Sequence, residues 1–286
     1  MIGRMQWMGR ITHTERRLKT VAVTPLSAPL GAKSRLAAAL TPAERQALAR
    51  WMAERVIRAL QALGVIAEVA VVSPDRATLT WASGLGATSI LQAASAPDAS
   101  ADQRLNDGLA LGRAWAQAQE ADALLITLGD LPLLTPAEVA QFVGLARRDG
   151  RHERHGDARD DGQTGVAHTG HTGDMAHMDG GVARHNAPII ALAPDRAGLG
   201  TNALLTTPPS HAPLAFGVGS FARHQALARR AGVEPLIFHS PGLAFDVDTL
   251  PDLDELRASG LWAPEDTAPA EPHTSVTGPR QAPDAT

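Results

Sequence analysis

Cysteine is absent from the whole chain, which excludes disulfides, zinc–thiolate centres and a cysteine nucleophile and suits a reducing, cytoplasmic setting. No apolar run is long enough to cross a bilayer. The stretch up to Lys19 has Arg4, Arg10, Glu15, Arg16 and Arg17 scattered through it, where a secretory signal would need an unbroken hydrophobic segment. Residues 1–19 therefore read as a poorly ordered leader, and no membrane partner is expected. Basic clusters are missing too. With 26 Lys and Arg against 30 Asp and Glu the formal net charge is −4, so nucleic acid, whose binding calls for grouped cations, is not an expected partner. Nor is there a Walker A sequence, so an anionic ligand has to be small and met by local features of another kind.

What is present is enough apolar material, 44% of 286 residues, for one large domain with appendages. Short β-like runs alternate with helical patterns: Thr20 to Leu26, Ala67 to Ser73, Ala87 to Leu91, Ala123 to Leu128, Pro188 to Ala193, Ala203 to Thr207 and Glu234 to His239. Several lack polar alternation, as strands covered on both faces do, so the expected fold class is α/β: a mostly parallel, Rossmann-like sheet with helices on either side. Thr41-Pro42-Ala43-Glu44 and Thr135-Pro136-Ala137-Glu138 each combine a hydroxyl N-cap, a first-turn Pro and a Glu that completes a capping box. The first of these helices buries Leu48, Met52, Val56, Leu60 and Leu63 and stops at Gly64; others are expected over Leu105 to Gln119 and Phe221 to Ala231. The domain thus spans residues 20–262, interrupted over 149–186 by a flexible insert rich in Gly, Asp and His (His152, His155, His168, His171, His177, His185). Residues 263–286 form a Pro-rich tail expected to be disordered.

Two acidic strand ends carry the chemistry. Asp130 follows an apolar run directly and Pro132 stops that run from continuing, which places a carboxylate where ligands of α/β sheets gather. Asp246 and Asp248 are spaced i, i+2, so in extended backbone both point to one side while Val247 points into the core. Such oxygens suit Mg²⁺, which keeps positions open for substrate phosphates. Each motif also has a plain structural reading, as a turn at Asp130 and as a helix cap at Asp248 or Thr249. Gly31-Ala-Lys33-Ser-Arg35, between the first strand and the Thr41 helix, offers complementary cations for a triphosphate, though a bare Lys-x-Arg loop reads equally as a solvated one. The segments Asp195 to Ala203 and Phe216 to His224 combine glycines with small hydroxyls, which reads either as anion nests, with Ser220 at a helix start and Arg223 available for a bidentate contact, or as ordinary turns with Ser220 as a helix N-cap. The insert histidines are irregularly spaced and read as a solvated loop rather than a transition-metal site.

The order of these segments is informative: Lys33-Ser-Arg35-Leu, Leu105-Asn106, Gly129-Asp-Leu-Pro132, Asp195-Arg-x-Gly-x-Gly-Thr201, Phe216-Gly-x-x-Ser220-x-Ala-Arg-His224, and Pro241-Gly-Leu-x-x-Asp246-Val-Asp-Thr249. It resembles the 2-phospho-L-lactate or phosphoenolpyruvate guanylyltransferase family of deazaflavin coenzyme biosynthesis, relatives of the molybdenum-cofactor guanylyltransferases. The resemblance implies a nucleotide-diphospho-sugar-transferase (GT-A-like) fold. It implies Mg²⁺ on Asp130, Asp246 and Asp248, GTP held by Lys33 and Arg35 with help from Asn106, and an acceptor held by Thr201, Gly217 and Ser220. A homodimer is also reasonable on this likeness. The leader, the insert and the tail depart from the family pattern, and the insert, preceding the Pro188 strand, bears on a sheet edge or on the acceptor pocket.

The expected reaction joins GMP from GTP to the phosphate of a three-carbon acid and releases pyrophosphate, with catalysis by Asp130, Lys33 and Arg35. Phosphoenolpyruvate and 3-phosphoglycerate stand ahead of 2-phospho-L-lactate as acceptors, and the sequence does not choose between them. A GT-A glycosyltransferase using Asp246-Val-Asp248, and a non-catalytic metal-handling protein built on the insert, are the rival readings.

Overall fold

A computed structural model describes residues 18–27, 33–96, 98–147 and 187–262. Most of the expected leader, Gly31 of the basic loop, the His-rich insert and the Pro-rich tail lie outside the described residues. All seven apolar runs form strands: β1 (Thr20–Pro25), β2 (Glu68–Ser73), β3 (Thr88–Leu91), β4 (Ala123–Thr127), β5 (Ile189–Pro194), β6 (Thr201–Thr207) and β7 (Leu236–Ile237). Most of their bounds differ from the sequence reading by one or two residues. The run at Glu234 to His239 shrinks most, because only Leu236 and Ile237 find ladder partners, on β5.

The strands make one sheet in the order β3-β2-β1-β4-β6-β5-β7. The β3-β2, β2-β1, β1-β4 and β5-β7 pairs are parallel, while β6 runs against both of its neighbours. Thr127, at the end of β4, lies opposite Ala203, near the start of β6. Reversing this one strand therefore brings its first residues, Thr201 and Asn202, to the rim where β1 and β4 end.

The helices are α1 (Pro42–Gln61), α2 (Arg76–Gly84), α3 (Ala101–Ala118), α4 (Pro136–Gly144), α5 (Ser220–Arg230), α6 (Pro241–Ala244) and α7 (Leu250–Ala258). Both expected capping boxes are formed, at Thr41 with Glu44 and at Thr135 with Glu138. The α2 helix goes beyond the sequence reading; its cap is Asp75, whose carboxylate accepts from the Thr78 backbone N–H at 2.7 Å. None of the described helices is long and apolar enough to cross a membrane.

Because β1 and β4 are buried on both sides, alternate residues feed separate cores. Ala22 and Leu125 pack with Val56 and Leu60 of α1 and Phe142 of α4, whereas Val23 and Ile126 pack with Leu109 of α3 and Ala228 of α5. A third cluster matters most for function. It joins Leu36, from a 3-10 turn at Ser34–Leu36 beside the basic loop, to Leu48 and Met52 of α1, Val247, and Leu253 of α7. Fully burying a Leu or Val side chain is worth about 1.5–3 kcal/mol, so Leu36 and Val247 clamp the basic loop and the Asp246–Asp248 segment onto one support.

Candidate active site

Lys33 is a non-glycine residue in the left-handed region, with φ 52 and ψ 44. That conformation costs about 1–2 kcal/mol for an L-residue, and strain of this kind persists where surrounding contacts fix it. Here Nζ donates to Asp130 Oδ2 at 2.6 Å and to Asp248 Oδ1 at 2.8 Å, so one ammonium ties the end of β4 to the segment before α7. Arg35 is far more exposed and reaches Asp248 Oδ2 at 3.7 Å. Together with Leu26, Met52 and Gly129 these side chains line an open cleft of about 250 Å³.

The second acidic segment is set by contacts from three directions. Val247 N donates to the Asp130 carbonyl at 3.4 Å, and Asp252 of α7 accepts from the N–H groups of Asp248 (3.2 Å) and Thr249 (2.8 Å). Thr249 thus caps α7, as the structural reading of that segment had it, and the same cap fixes Asp248. Upstream, Glu138 of α4 accepts from Gly242 N at 2.7 Å. A side chain at position 242 would meet the Leu133 carbonyl at 2.7 Å, so glycine is required for this approach. Asn202 donates to the Leu243 carbonyl at 2.9 Å and to Asp246 Oδ1 at 3.3 Å; it lies within the Asp195 to Ala203 segment, where nothing in the local composition marks it for this contact.

The electrostatics follow from this crowding. Burial disfavours charge on Lys33, but Asp130 and Asp248 reverse that and hold the ammonium above the ordinary lysine range. Burial also works against Asp248, yet Lys33 keeps its carboxyl below the ordinary range. Among the described residues no cation is within ion-pair distance of Asp246, and Arg196 acts on it only at longer range. Burial, then the neighbouring Asp130 charge, push its carboxyl up to about 6. Asp130 Oδ1 is buried without a hydrogen-bond partner. An orphaned carboxylate oxygen and a second carboxylate that resists ionisation are what a hard divalent cation would relieve, so the donor set fits Mg²⁺. Among the described residues no group of three His, Cys, Asp or Glu side chains is placed to hold a metal ion, and the Lys33 ammonium lies between Asp130 and Asp248, so the protein's own share of a Mg²⁺ site is at most two of these carboxylates at once.

The expected acceptor residues meet around the start of α5, in an arrangement the sequence did not reveal. Ser220 is not an N-cap: Gly219 takes that place, and Ser220 Oγ accepts from Thr201 N at 2.9 Å. Thr201 Oγ1 contacts His224 Nδ1 at 2.9 Å, and His224 Nε2 accepts from Ala215 N at 3.1 Å, an assignment that puts the ring proton on Nδ1. Each hydroxyl thereby keeps its own hydrogen to donate. Arg223 donates to the carbonyls of Ala215 (3.0 Å) and Phe216 (3.3 Å), bracing the loop. Asn106, expected beside the nucleotide, instead exchanges two bonds with Phe216, donating to its carbonyl at 3.0 Å and accepting from its N–H at 2.9 Å. Gly217 has φ 115, a conformation closed to most side chains, and lies against the Asp102 carboxylate. The glycine loop before β6 is not an open nest, because Asp195 accepts from the N–H groups of Leu199 and Gly200 itself.

His224 is wholly buried, and burial, then the adjacent Arg223 charge, lower its pKa from 6.5 to about 4. The native state therefore resists a proton that the unfolded chain accepts, so stability present above pH 6.5 is lost as pH falls towards 4. The ceiling is about 3 kcal/mol at 1.36 kcal/mol per pH unit. Urea midpoints followed from pH 7.5 to 4.5 should fall more steeply for the parent than for H224Q; parallel curves would mean that the ring protonates without penalty.

The MobA-like NTP transferase domain matches residues 43–256, spanning strands and helices on both sides of this site. This chain belongs to that family. It is 38% identical over 239 residues to the phosphoenolpyruvate guanylyltransferase of Sphaerobacter thermophilus, covering 84% of this chain and 93% of the relative. With the protein of the same name from Rubrobacter xylanophilus it shares 35% over 243 residues, 85% and 96% of the two chains. With the 2-phospho-L-lactate guanylyltransferase of Methanothermobacter thermautotrophicus it shares 29% over 243 residues, 85% and 86% of the two. Among solved structures, a protein of Desulfovibrio desulfuricans titled as a nucleotide-diphospho-sugar transferase superposes with TM-score 0.54 at 15% identity, over 84% of this chain and 87% of that one. The expected fold is therefore the observed one, and the chain is a nucleotidyltransferase of the guanylyltransferase branch.

Proposed function

We propose that this enzyme transfers GMP from GTP to the phosphate of a small phosphorylated three-carbon acid, releasing pyrophosphate, within deazaflavin coenzyme biosynthesis. The observation that carries the reading is the Lys33 ammonium bonded at once to Asp130 and Asp248, at 2.6 and 2.8 Å, on the rim shared with Thr201 and Asn202. A cation clasped by acids at a strand end is suited to a polyanion that arrives with its own metal. Lys33 and the exposed Arg35 would bind the departing phosphates, while Asp130, Asp246 and Asp248, at most two of them at once, would hold Mg²⁺. Bound there, Mg²⁺ would supply charge neutralisation at the α-phosphate.

An acceptor phosphate oxygen attacks the α-phosphorus, the bond from that phosphorus to the β-phosphate oxygen breaks, and pyrophosphate leaves with the electron pair. The second pKa of a phosphate monoester is near 6, so the nucleophile is already largely ionised at pH 7 and no catalytic base is required. That accords with a buried His224 whose ring is committed to Thr201 and Ala215. The chain's own work is to bring two anions together and hold them in line. The Thr201 and Ser220 hydroxyls, with the loop at Gly217, receive the acid, and Arg223 and Asn106 hold that loop. Phosphoenolpyruvate is the leading acceptor, since relatives with 38% and 35% identity are named for it.

Incubation with each nucleoside triphosphate and each of the three acids in Mg²⁺, followed by mass analysis, tests the reading. Guanylyl-phosphoenolpyruvate and pyrophosphate are the expected products. No pyrophosphate from any pairing, with a nucleoside diphosphate released when a sugar nucleotide is supplied instead, would overturn it in favour of glycosyl transfer.

A further inference from the structure

Among the described residues Asp246, unlike the other two acids of the site, forms no ion pair, and Arg196 acts on it only at longer range, so another contact sets its direction. That contact comes from Asn202. Its carboxamide Nδ2 donates both hydrogens, to the Leu243 carbonyl at 2.9 Å and to Asp246 Oδ1 at 3.3 Å. The first bond fixes the carboxamide against α6, and the second aims the carboxylate, leaving Oδ2 outside the contact. The Asn202 backbone carbonyl accepts from Leu128 N at 3.0 Å, two residues before Asp130. Asn202 is itself only 2% exposed. One buried residue at the head of the reversed strand thus touches both acid-bearing segments and adjoins Thr201.

We propose that Asn202 is a positioning residue: it holds the Asp246 carboxylate in the direction that a divalent cation bound with Asp130 requires. The inference rests on the metal reading above. A carboxylate whose one oxygen is pinned by an amide loses less rotational freedom on taking a cation, and partners that orient metal ligands in this way are worth roughly 10–100-fold in affinity.

The test is a titration of the full-length protein with Mn²⁺ alone, followed by electron paramagnetic resonance, for the parent, N202A and N202S. Melting temperature and nucleotide affinity in chelator are measured alongside. Serine keeps a polar group in the buried site but is too short to serve both partners. The expected result is a roughly 10–100-fold weaker Mn²⁺ affinity in both variants, with metal-free GTP affinity unchanged and melting close to the parent. Parent-like Mn²⁺ affinity in either folded variant overturns the role of Asn202 while leaving the metal reading intact. No Mn²⁺ binding by the parent overturns the metal reading, and this proposal with it. If both variants melt far below the parent, Asn202 is a residue of the fold and the proposal fails.

Discussion

Changing Asp130 to Asn should leave a folded protein that has lost roughly 10²–10³-fold of its turnover, the scale on which a single charge-stabilising contact acts in a transition state. The substitution preserves size, and the backbone bond from Val247 to the Asp130 carbonyl does not involve the side chain. Lys33 keeps Asp248 as a partner at 2.8 Å, so the salt bridge is halved rather than broken. What disappears is the negative charge on a group whose Oδ1 is buried with no hydrogen-bond partner. Far-ultraviolet circular dichroism and a melting curve near the parent's, with single-turnover rates in saturating Mg²⁺, separate folding from chemistry. Near-normal turnover would remove Asp130 from the set of essential ligands.

The second large effect is expected at Lys33. Replacing it with Met keeps the length and removes the charge, leaving Asp130 and Asp248 facing each other with no ammonium between them. Breaking a buried ion pair costs about 3–5 kcal/mol, but the Asp248 side chain is 43% exposed, so solvent screens the loss to about 1–2 kcal/mol. For a chain of this size that is a fall of roughly 3–6 °C in melting temperature. Because Lys33 holds the Asp248 carboxyl below its ordinary range, the gap from the parent should persist at neutral pH and close only in acid, as pH falls through that depressed range. Turnover should fall by at least about a hundredfold through the loss of charge stabilisation on the leaving phosphates. A variant that melts like the parent, or that releases pyrophosphate at the parent's rate, would deny Lys33 its place at the centre of the site.

The strands were readable because fully buried β segments are continuous apolar runs, and Val21, Ala22 and Val23 have no exposure at all. The capping boxes at Thr41 and Thr135 were readable for a similar reason: they are local, complete within four residues and specific to helix starts. The α2 helix has only a faint signature in the chain: its cap, Asp75, stands alone without a capping-box partner, and only Leu79 and Ala82 give it a buried face. The acids and cations of the site were legible as segments but not as partners. Lys33 is 97 positions from Asp130 and 215 from Asp248 along the chain, and neither separation leaves a trace in local composition. Asn106 shows the limit most clearly. Its motif marked it as functional, while its commitment to Phe216, 110 residues away, depends on how α3 packs against the α5 loop.

The placement of the insert has a consequence for how this domain can vary. The chain leaves the described region after the short turn at Leu145–Arg147 and returns just ahead of β5 (Ile189–Pro194). Ile189 pairs with Thr207, the last residue of β6, whereas Pro194 pairs with Thr201, its first. The return point therefore sits at the edge away from the acids, about 20 Å off along a six-residue strand at ~3.3 Å per residue. A reporter domain grafted directly before Ile189 is joined to the acids only through the length of β5.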